Sequence, residues 1–185
     1  MQKTEYLALL RGINVGGNNI IKMNELKKLF AEINCTDVVT YIQSGNIIFC
    51  AAEKAKTKIT DKIAKILYKK LNSKITMALL TFAEMQEIIA KKPEGFGAAK
   101  DKYKYDVIFL IKPLQARDAL KAFELRAGVD QISAGKNVLY FSRLIKQLTK
   151  SKLAKIAASP IYPDITIRNW NTTEKLAELM AKKRK

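Results

Sequence analysis

The chain has 185 residues, and its 34 Lys and Arg against 17 Asp and Glu give a formal net charge of +17 at pH 7. With 48% hydrophobic residues, only 8 Gly and only 4 Pro, the composition excludes a disordered or a fibrous protein. The chain contains no histidine and two cysteines, which excludes Ser-His-Asp catalysis, Cys-His catalysis and the common zinc sites. We therefore predict a globular protein with no metal site and no cofactor.

Targeting signals are not visible in the sequence. No stretch approaches the roughly 20 consecutive apolar residues of a membrane span, so no membrane partner is expected. The N-terminal sequence MQKTEYLALLRG has neither the long apolar core nor the small-residue cleavage site of a signal peptide, which predicts a cytoplasmic protein. In that compartment Cys35 and Cys50 are expected to be free thiols.

The first half alternates short apolar runs with helical stripes of apolar residues. In chain order the pattern predicts a strand over 7–10, a helix with Leu26, Leu29, Phe30 and Ile33 on one face, a hairpin of strands 38–42 and 47–50, a helix over 59–71 and a strand over 75–80. The turn of the hairpin is Gln43-Ser44-Gly45-Asn46.

The second half repeats this order. The predicted elements are a strand over 105–111, a helix over 116–123, a hairpin of strands 131–133 and 138–142, a helix over 148–157 and a strand over 165–167. GNIIF at 45–49 aligns with KNVLY at 136–140, and ITM at 75–77 aligns with ITI at 165–167. Each half is followed by residues typical of a capping box, Thr81 with Glu84 and Asn171 with Glu174.

This internal duplication predicts an α+β fold of two ferredoxin-like βαββαβ units, each followed by an extra helix. We place the first half at 1–92 and the second half at 105–185. A linker over 93–104, which holds Pro93, Gly95 and Gly97, is predicted between them.

The two halves differ most in the loop after the first strand. About ten residues, the segment RGINVGGNN at 11–19, are extra in the first half, where the second half has only a short turn at Lys112-Pro113. A long Gly-rich loop on a regular scaffold is a usual location of function.

Several motifs of the chain are similar to those of a known family. YLALLRGINVGGNNIIKMNELKKLF at 6–30, TYIQSGNIIF at 40–49, SKL at 151–153 and ITIRNWNTTEKLAEL at 165–179 resemble, in order and spacing, the bacterial domain-of-unknown-function family 1697 (DUF1697). The resemblance implies a ferredoxin-like α+β fold, a bacterial cytoplasmic protein and no established activity. The motif residues map onto Arg11, Gly12, Asn14, Gly16, Gly17, Gln43, Ser44, Gly45, Asn46, Arg168, Asn169 and Trp170. The chain departs from the family pattern before SKL, where RLIKQLTK replaces a Gly-containing stretch.

The Gly-rich loop allows two interpretations. It has the Gly12-x-x-x-x-Gly17 spacing of a phosphate loop, but Asn18 and Asn19 stand where Lys and Ser/Thr would have to be, so Walker-type ATP binding is not expected. Its backbone N–H groups and Arg11 could still hold an anion. Alternatively, Asn14 and the glycines simply satisfy their own backbone in a tight loop.

The other motif residues also have structural explanations. The amides of Gln43 and Asn46 and the hydroxyl of Ser44 could face a ligand or could only form the hairpin turn, which we expect at the opposite end of the sheet from Arg11. After the last strand, capping explains Asn171 and Glu174, and Trp170 is expected to pack the final helix on the sheet. Arg168 and Asn169 remain candidates for ligand contact.

The basic residues point to an anionic partner. Residues 54–74 alone hold eight Lys. We expect a binding module for an anionic ligand (a nucleotide, a phosphorylated metabolite or nucleic acid) at the 11–19 loop. Nucleic acid would be bound mainly through its phosphates, because YLALL and NIIF lack the aromatic pattern of single-strand RNA binders. Two alternatives stay open: a metal-independent, histidine-free enzyme that uses Arg11 and Asn14 to stabilise an anion, and a structural or oligomeric interaction protein. The candidate ligand-binding residues are Arg11, Gly12, Asn14, Gly16, Gly17, Gln43, Ser44, Asn46, Arg168 and Asn169.

Overall fold

The structure, a computed structural model, describes residues 3–182. The outermost residues of the two predicted halves, 1–2 and 183–185, lie outside this range. The chain divides into two compact units, of which the first holds the residues up to Met85 and those from Met180 onward, and the second runs Gln86–Leu179.

The first unit is built on a four-stranded antiparallel sheet. Its elements are β1 (Thr4–Leu10), α1 (Met23–Glu32), β2 (Thr36–Tyr41), β3 (Asn46–Ala51), α2 (Lys56–Leu71) and β4 (Met77–Thr81), and they are followed by α3 (Phe82–Ala90). The strand order is β2-β3-β1-β4, with β1 antiparallel to both of its neighbours. This is the order expected of a ferredoxin-like unit.

The core of the first unit lies between one face of the sheet and the apolar stripes of α1 and α2. Leu26 and Phe30 of α1 and Ile63 and Leu67 of α2 are fully buried, as the helical spacing predicts. Phe30 packs edge-on against Phe49 of β3, with ring centroids 5.1 Å apart. Burial of each such side chain contributes about 1.5 to 3 kcal/mol, which fixes both helices on the sheet.

The second unit repeats this sheet. Its elements are β5 (Tyr103–Leu110), α4 (Ala116–Leu120), β6 (Asp130–Ala134), β7 (Val138–Leu144), β8 (Ile165–Asn169) and α5 (Trp170–Lys182). The strand order β6-β7-β5-β8 is equivalent to that of the first unit. The predicted duplicated α+β fold is therefore confirmed.

The predicted helix over 148–157 is wrong. Two short 3₁₀ segments, Ile145–Lys150 and Leu153–Ala158, lie there instead. The Lys152 N–H donates to the Asp130 carboxylate (2.9 Å) and the Leu153 N–H donates to the Ser151 hydroxyl (3.3 Å). These side chains take backbone donors that a continuous α-helix would need, so the helix is interrupted.

The first of the two predicted capping boxes is confirmed, and the second is wrong. The Thr81 N–H donates to Glu84 Oε2 (2.7 Å), and the Glu84 N–H donates to Thr81 Oγ1 (3.3 Å). In contrast, α5 begins at Trp170, and the Asn171 N–H donates to Oδ1 of Asn169 (3.0 Å). Asn169 therefore caps α5, and Asn171 lies inside the helix.

Residues 93–104 belong to the second unit, and this segment leads into β5, which begins at Tyr103. Phe96 is buried, and its ring lies edge-on to Trp170, with centroids 5.2 Å apart. Gly97 has a φ of +85°, and a Cβ there would lie 2.4 Å from Nε1 of Trp170, so only glycine allows this approach.

Both cysteines are free, as predicted. Cys35 is buried, and burial raises the pKa of its thiol to about 11. Within residues 3–182, no helix is long and apolar enough to cross a membrane.

Candidate functional site

The Gly-rich loop folds as a miniature β-hairpin. The Asn18 N–H donates to the Val15 oxygen (3.0 Å), and these two residues form an isolated antiparallel bridge. Gly16 and Gly17 at the tip both have positive φ, 58° and 78°, as a two-residue type I′ turn requires. Glycine takes this conformation at no steric cost, which explains the Gly-Gly pair. The loop is thus a regular hairpin rather than an irregular insertion.

Asn14 anchors the base of this hairpin. Its Nδ2 donates to the oxygens of Ile21 (3.1 Å) and Gln43 (2.9 Å), while its Oδ1 accepts the Ile21 N–H (2.8 Å). Asn19 closes the other side, because its Nδ2 donates to the Gly12 oxygen (2.9 Å). Both asparagine amides are therefore used within the loop and the adjacent turn.

The loop and the β2–β3 turn lie at the same end of the first sheet, so the expectation that they lie at opposite ends is wrong. Leu9 of β1 is paired with Asn46 of β3, and the Leu10 N–H donates to the Gly45 oxygen (2.8 Å). Because β1 and β3 are antiparallel, the end of β1 meets the start of β3. The structure thus brings the predicted residues Asn14 and Gln43 together.

The turn itself is tightly constrained. Gly45 is buried with φ +71°, and a Cβ there would lie 2.9 Å from Cβ of Leu10. Nδ2 of Asn46 donates to the Tyr41 oxygen (3.0 Å) and to the Ser44 hydroxyl (3.1 Å). Ile42 also has a positive φ, 47°, which is rare for a β-branched residue, and its side chain is 51% exposed. Strained positions of this kind concentrate at functional sites.

Arg11 lies where β1 enters the loop. Its N–H donates to the oxygen of Thr76 (2.9 Å), and its side chain is half-buried. This bond brings a third segment, the approach to β4, to the same end. The exposed surface around the hairpin tip is apolar as well as polar, because Val15 is 61% and Ile20 is 72% exposed.

The charged residues at this end are mainly basic. The three segments that meet there, 11–24, 41–52 and 69–83, contain no Asp or Glu, although the chain has 17. They contribute five basic residues, Arg11, Lys22, Lys69, Lys70 and Lys74, and the four lysines are exposed. Lys70 makes an ion pair with Glu25 in the first turn of α1. Because most of the charged residues are cationic and side-chain hydrogen bonds hold the loop, the arrangement can attract and orient an anion.

The remaining two predicted site residues, Arg168 and Asn169, belong to the second unit. Nη1 of Arg168 donates to the Thr166 hydroxyl (2.9 Å) and to the Ile167 oxygen (2.8 Å), and burial lowers the pKa of its guanidinium to about 10. Asn169 Nδ2 donates to the Tyr105 oxygen (3.1 Å) while its Oδ1 caps α5. Both side chains therefore have structural roles.

Sequence reasoning missed a pocket in the second unit. It lies against β5, β6 and β7 and is lined in part by Phe96, Tyr103 and Tyr105. The sequence YKY at 103–105 could have indicated this aromatic surface, because Tyr103 and Tyr105 lie two residues apart on a strand and therefore face the same side of the sheet.

Comparisons with known proteins agree with the motifs. The family described as "Protein of unknown function (DUF1697)" matches residues 3–140, about three quarters of the chain. The chain belongs to this family. No curated protein matches this DUF1697 chain. Among solved structures, a conserved bacterial protein, SP0830 from Streptococcus pneumoniae, is similar with a TM-score of 0.85 and 24% sequence identity, over 97% of this chain and 99% of that one. This likeness shows the fold alone.

Proposed function

We propose that this DUF1697 protein binds an anionic ligand at the end of the first unit formed by loop 11–19 and turn 42–45. The observation that carries the proposal is the composition of this end, where three segments without a single acidic residue meet around a preformed hairpin. Arg11 supplies a planar, permanently charged donor group, and Lys22 and Lys74 add positive charge.

The rigid backbone favours binding. Asn14 and Asn19 hold the hairpin in one conformation, so that little conformational entropy is lost when a ligand contacts it. The three segments supply no carboxylate as a general acid or base, so the catalytic alternative would need a lysine or a tyrosine beside Arg11. The ligand classes expected are nucleotides and phosphorylated metabolites.

A thermal-shift titration with inorganic phosphate, ATP and ribose 5-phosphate tests the proposal on wild type, Arg11→Ala and Arg11→Lys. A charge-assisted contact contributes about 1.5 to 3 kcal/mol, so Arg11→Ala is expected to remove most of the ligand-induced shift. Arg11→Lys should recover only part of it, because lysine lacks the two-pronged geometry. Arg117→Ala, an exposed arginine of α4 in the second unit, is the matched control. Equal ligand shifts in all four proteins would reject the site.

A second candidate function, binding of a polyanion such as nucleic acid, is favoured by one face of α2. Lys58, Lys62, Lys65 and Lys69 are all exposed and follow each other at spacings of four, three and four residues. Residues three and four apart lie on the same side of a helix, so the four ammonium groups form a stripe about 16 Å long. In the described part of the chain none of the four is within ion-pair distance of a carboxylate. Such a stripe is suited to a chain of phosphates.

A further inference from the structure

The second unit has a pocket of its own. It has a volume of about 380 Å³, at the small end of the range for small-molecule sites. Its floor is the sheet face formed by β6, β7 and β5, and one wall is the segment 93–99. All the lining residues belong to the second unit, so the pocket is complete within it. We call it the Tyr103 pocket.

Strand register explains the floor. Gln131 of β6 is paired with Ser142 of β7, which is paired with Tyr105 of β5, so these three side chains form one row across the sheet. Tyr103 and Tyr105 are two residues apart on β5 and therefore share this face, with ring centroids 6.1 Å apart. Phe96 lies above Tyr105 (4.9 Å between centroids) and closes the aromatic side of the pocket.

The polar side of the pocket on β6 is uncharged, whereas the 93–99 wall contributes Glu94, the one charged residue among those that line the pocket. The Ser142 hydroxyl donates to Oε1 of Gln131 (3.3 Å), which leaves the NH₂ group of Gln131 as a donor. Among residues 3–182, no protein group bonds to that NH₂ or to the Ser133 hydroxyl, and both residues are exposed on the edge strand β6. The pocket thus offers an aromatic surface on one side and uncharged hydrogen-bonding groups on the other, which suits a flat ring with polar edges.

Two positively charged side chains lie at the rim of the pocket. Lys102 precedes Tyr103, and its Nζ lies 5.6 Å from the centre of the Tyr103 ring. Lys92 precedes the wall segment, and both lysines are exposed. Within residues 3–182 neither lysine makes an ion pair, so both can meet a phosphate outside the pocket.

We propose that the Tyr103 pocket binds a nucleobase, which stacks on Tyr103, bonds to Gln131 and Ser133 through its edge and directs its phosphate toward Lys102. The Glu94 carboxylate in the wall repels a phosphate from the interior, and the rim lysine favours a nucleotide over an uncharged sugar. The base can come from a free nucleotide or from single-stranded nucleic acid, since both present the same chemistry. The proposal does not rest on the anion site of the first unit.

The test is saturation-transfer NMR and calorimetry with adenosine, AMP, ribose 5-phosphate, glucose and a five-residue oligo(dA). Saturation transfer from the protein to the base protons of adenosine and AMP is expected, and AMP should bind more tightly than adenosine. Tyr103→Ala should weaken AMP binding about tenfold or more, and Tyr103→Phe should retain most of it, because the ring does the stacking. Gln131→Ala and Ser133→Ala should weaken both ligands, whereas Lys102→Ala should weaken AMP but not adenosine.

Matched variants separate this site from other effects. Tyr68→Ala, which replaces an exposed tyrosine of α2, should leave AMP binding at the pocket unchanged. Oligo(dA) binding about tenfold tighter than AMP identifies a strand as the source of the base, and equal affinity identifies a free nucleotide. The proposal is overturned if no transfer to base protons occurs, if ribose 5-phosphate or glucose displaces adenosine as effectively as AMP does, or if Tyr103→Ala and Gln131→Ala both bind AMP like wild type.

Discussion

Asn14 joins the two parts of the candidate anion site, because its side-chain Nδ2 donates to the backbone oxygen of Gln43 over 2.9 Å. Together with its two bonds to Ile21, this contact fixes the base of the hairpin against the turn. The residue also has a φ of 54°, which asparagine tolerates better than other side chains.

Asn14→Ala is expected to lower the free energy of unfolding by about 2 to 4 kcal/mol, because it removes three hydrogen bonds and places alanine in the left-handed region. Urea denaturation measures this. Asn18→Ala is the control, since Asn18 is exposed and its side chain makes one long bond of 3.5 Å. A change of about 0.5 kcal/mol or less is expected there. Similar losses in both variants would contradict an anchoring role for Asn14.

Gly45→Ala should destabilise the protein more than Gly95→Ala. Both glycines have φ +71°, so the cost of left-handed backbone, about 1 to 2 kcal/mol, is common to both. Only at Gly45 would the new Cβ meet a side chain, Leu10, at 2.9 Å, whereas nothing lies within 4 Å at Gly95. Overpacking adds about 1 to 3 kcal/mol, which denaturant unfolding can resolve. Equal losses would show that the turn can move away from Leu10.

Glu84→Gln is expected to lower stability at pH 7 by about 1 to 2 kcal/mol. Burial alone would raise the pKa of Glu84, but hydrogen bonds from Lys56 and Thr81 outweigh it and lower the pKa below its usual value. A carboxylate with a lowered pKa stabilises the fold above its unfolded pKa, and this contribution is lost as the pH falls through the folded pKa. Wild type and variant should therefore converge in acid. Glu32→Gln, an exposed residue at the end of α1, should differ little from wild type at any pH.

Cys35 should make stability fall at alkaline pH. Burial raises the pKa of its thiol to about 11 from 9.0, so the folded state keeps a proton that the unfolded state loses. This contribution is complete below pH 9 and is lost toward pH 11, which amounts to about 2 kcal/mol at pH 10.5. Between pH 8 and 10.5, the free energy of unfolding should therefore fall by about 2 kcal/mol less in Cys35→Ala than in wild type. Cys50→Ala should behave like wild type. A Cys35→Ala curve parallel to that of wild type would be incompatible with the raised pKa.

Replacement of Lys58, Lys62, Lys65 and Lys69 by Gln should reduce the salt dependence of binding to oligo(dT). Each phosphate neutralised contributes about 0.7 to the slope of log K against log salt for a single strand, so the slope is expected to become shallower by about 2 to 3. Fluorescence anisotropy at several salt concentrations measures it. Replacement of Lys121, Lys146, Lys150 and Lys155 in the second unit gives the charge-matched control. An unchanged slope for the α2 variant would remove this helix face as the binding surface.

Local patterns in the sequence determined much of the fold. The spacing of Leu26, Leu29 and Phe30 gives α1, and the repeat of GNIIF as KNVLY gives the duplicated hairpins, because side-chain periodicity and turn residues act over a few positions. The extra loop at 11–19 was also visible, since an insertion stands out when two halves of a chain are aligned. The family follows from motifs of the same kind.

The tertiary structure determined which of these local elements and side chains contact each other. The antiparallel pairing of β1 with β3 places Gln43 beside Asn14, and the Asp130 carboxylate takes the Lys152 N–H and interrupts a helix that the apolar spacing alone would allow. The row of Gln131, Ser142 and Tyr105 exists only through strand register. Such contacts join residues far apart in the chain, and their energies depend on packing that no short window of sequence contains.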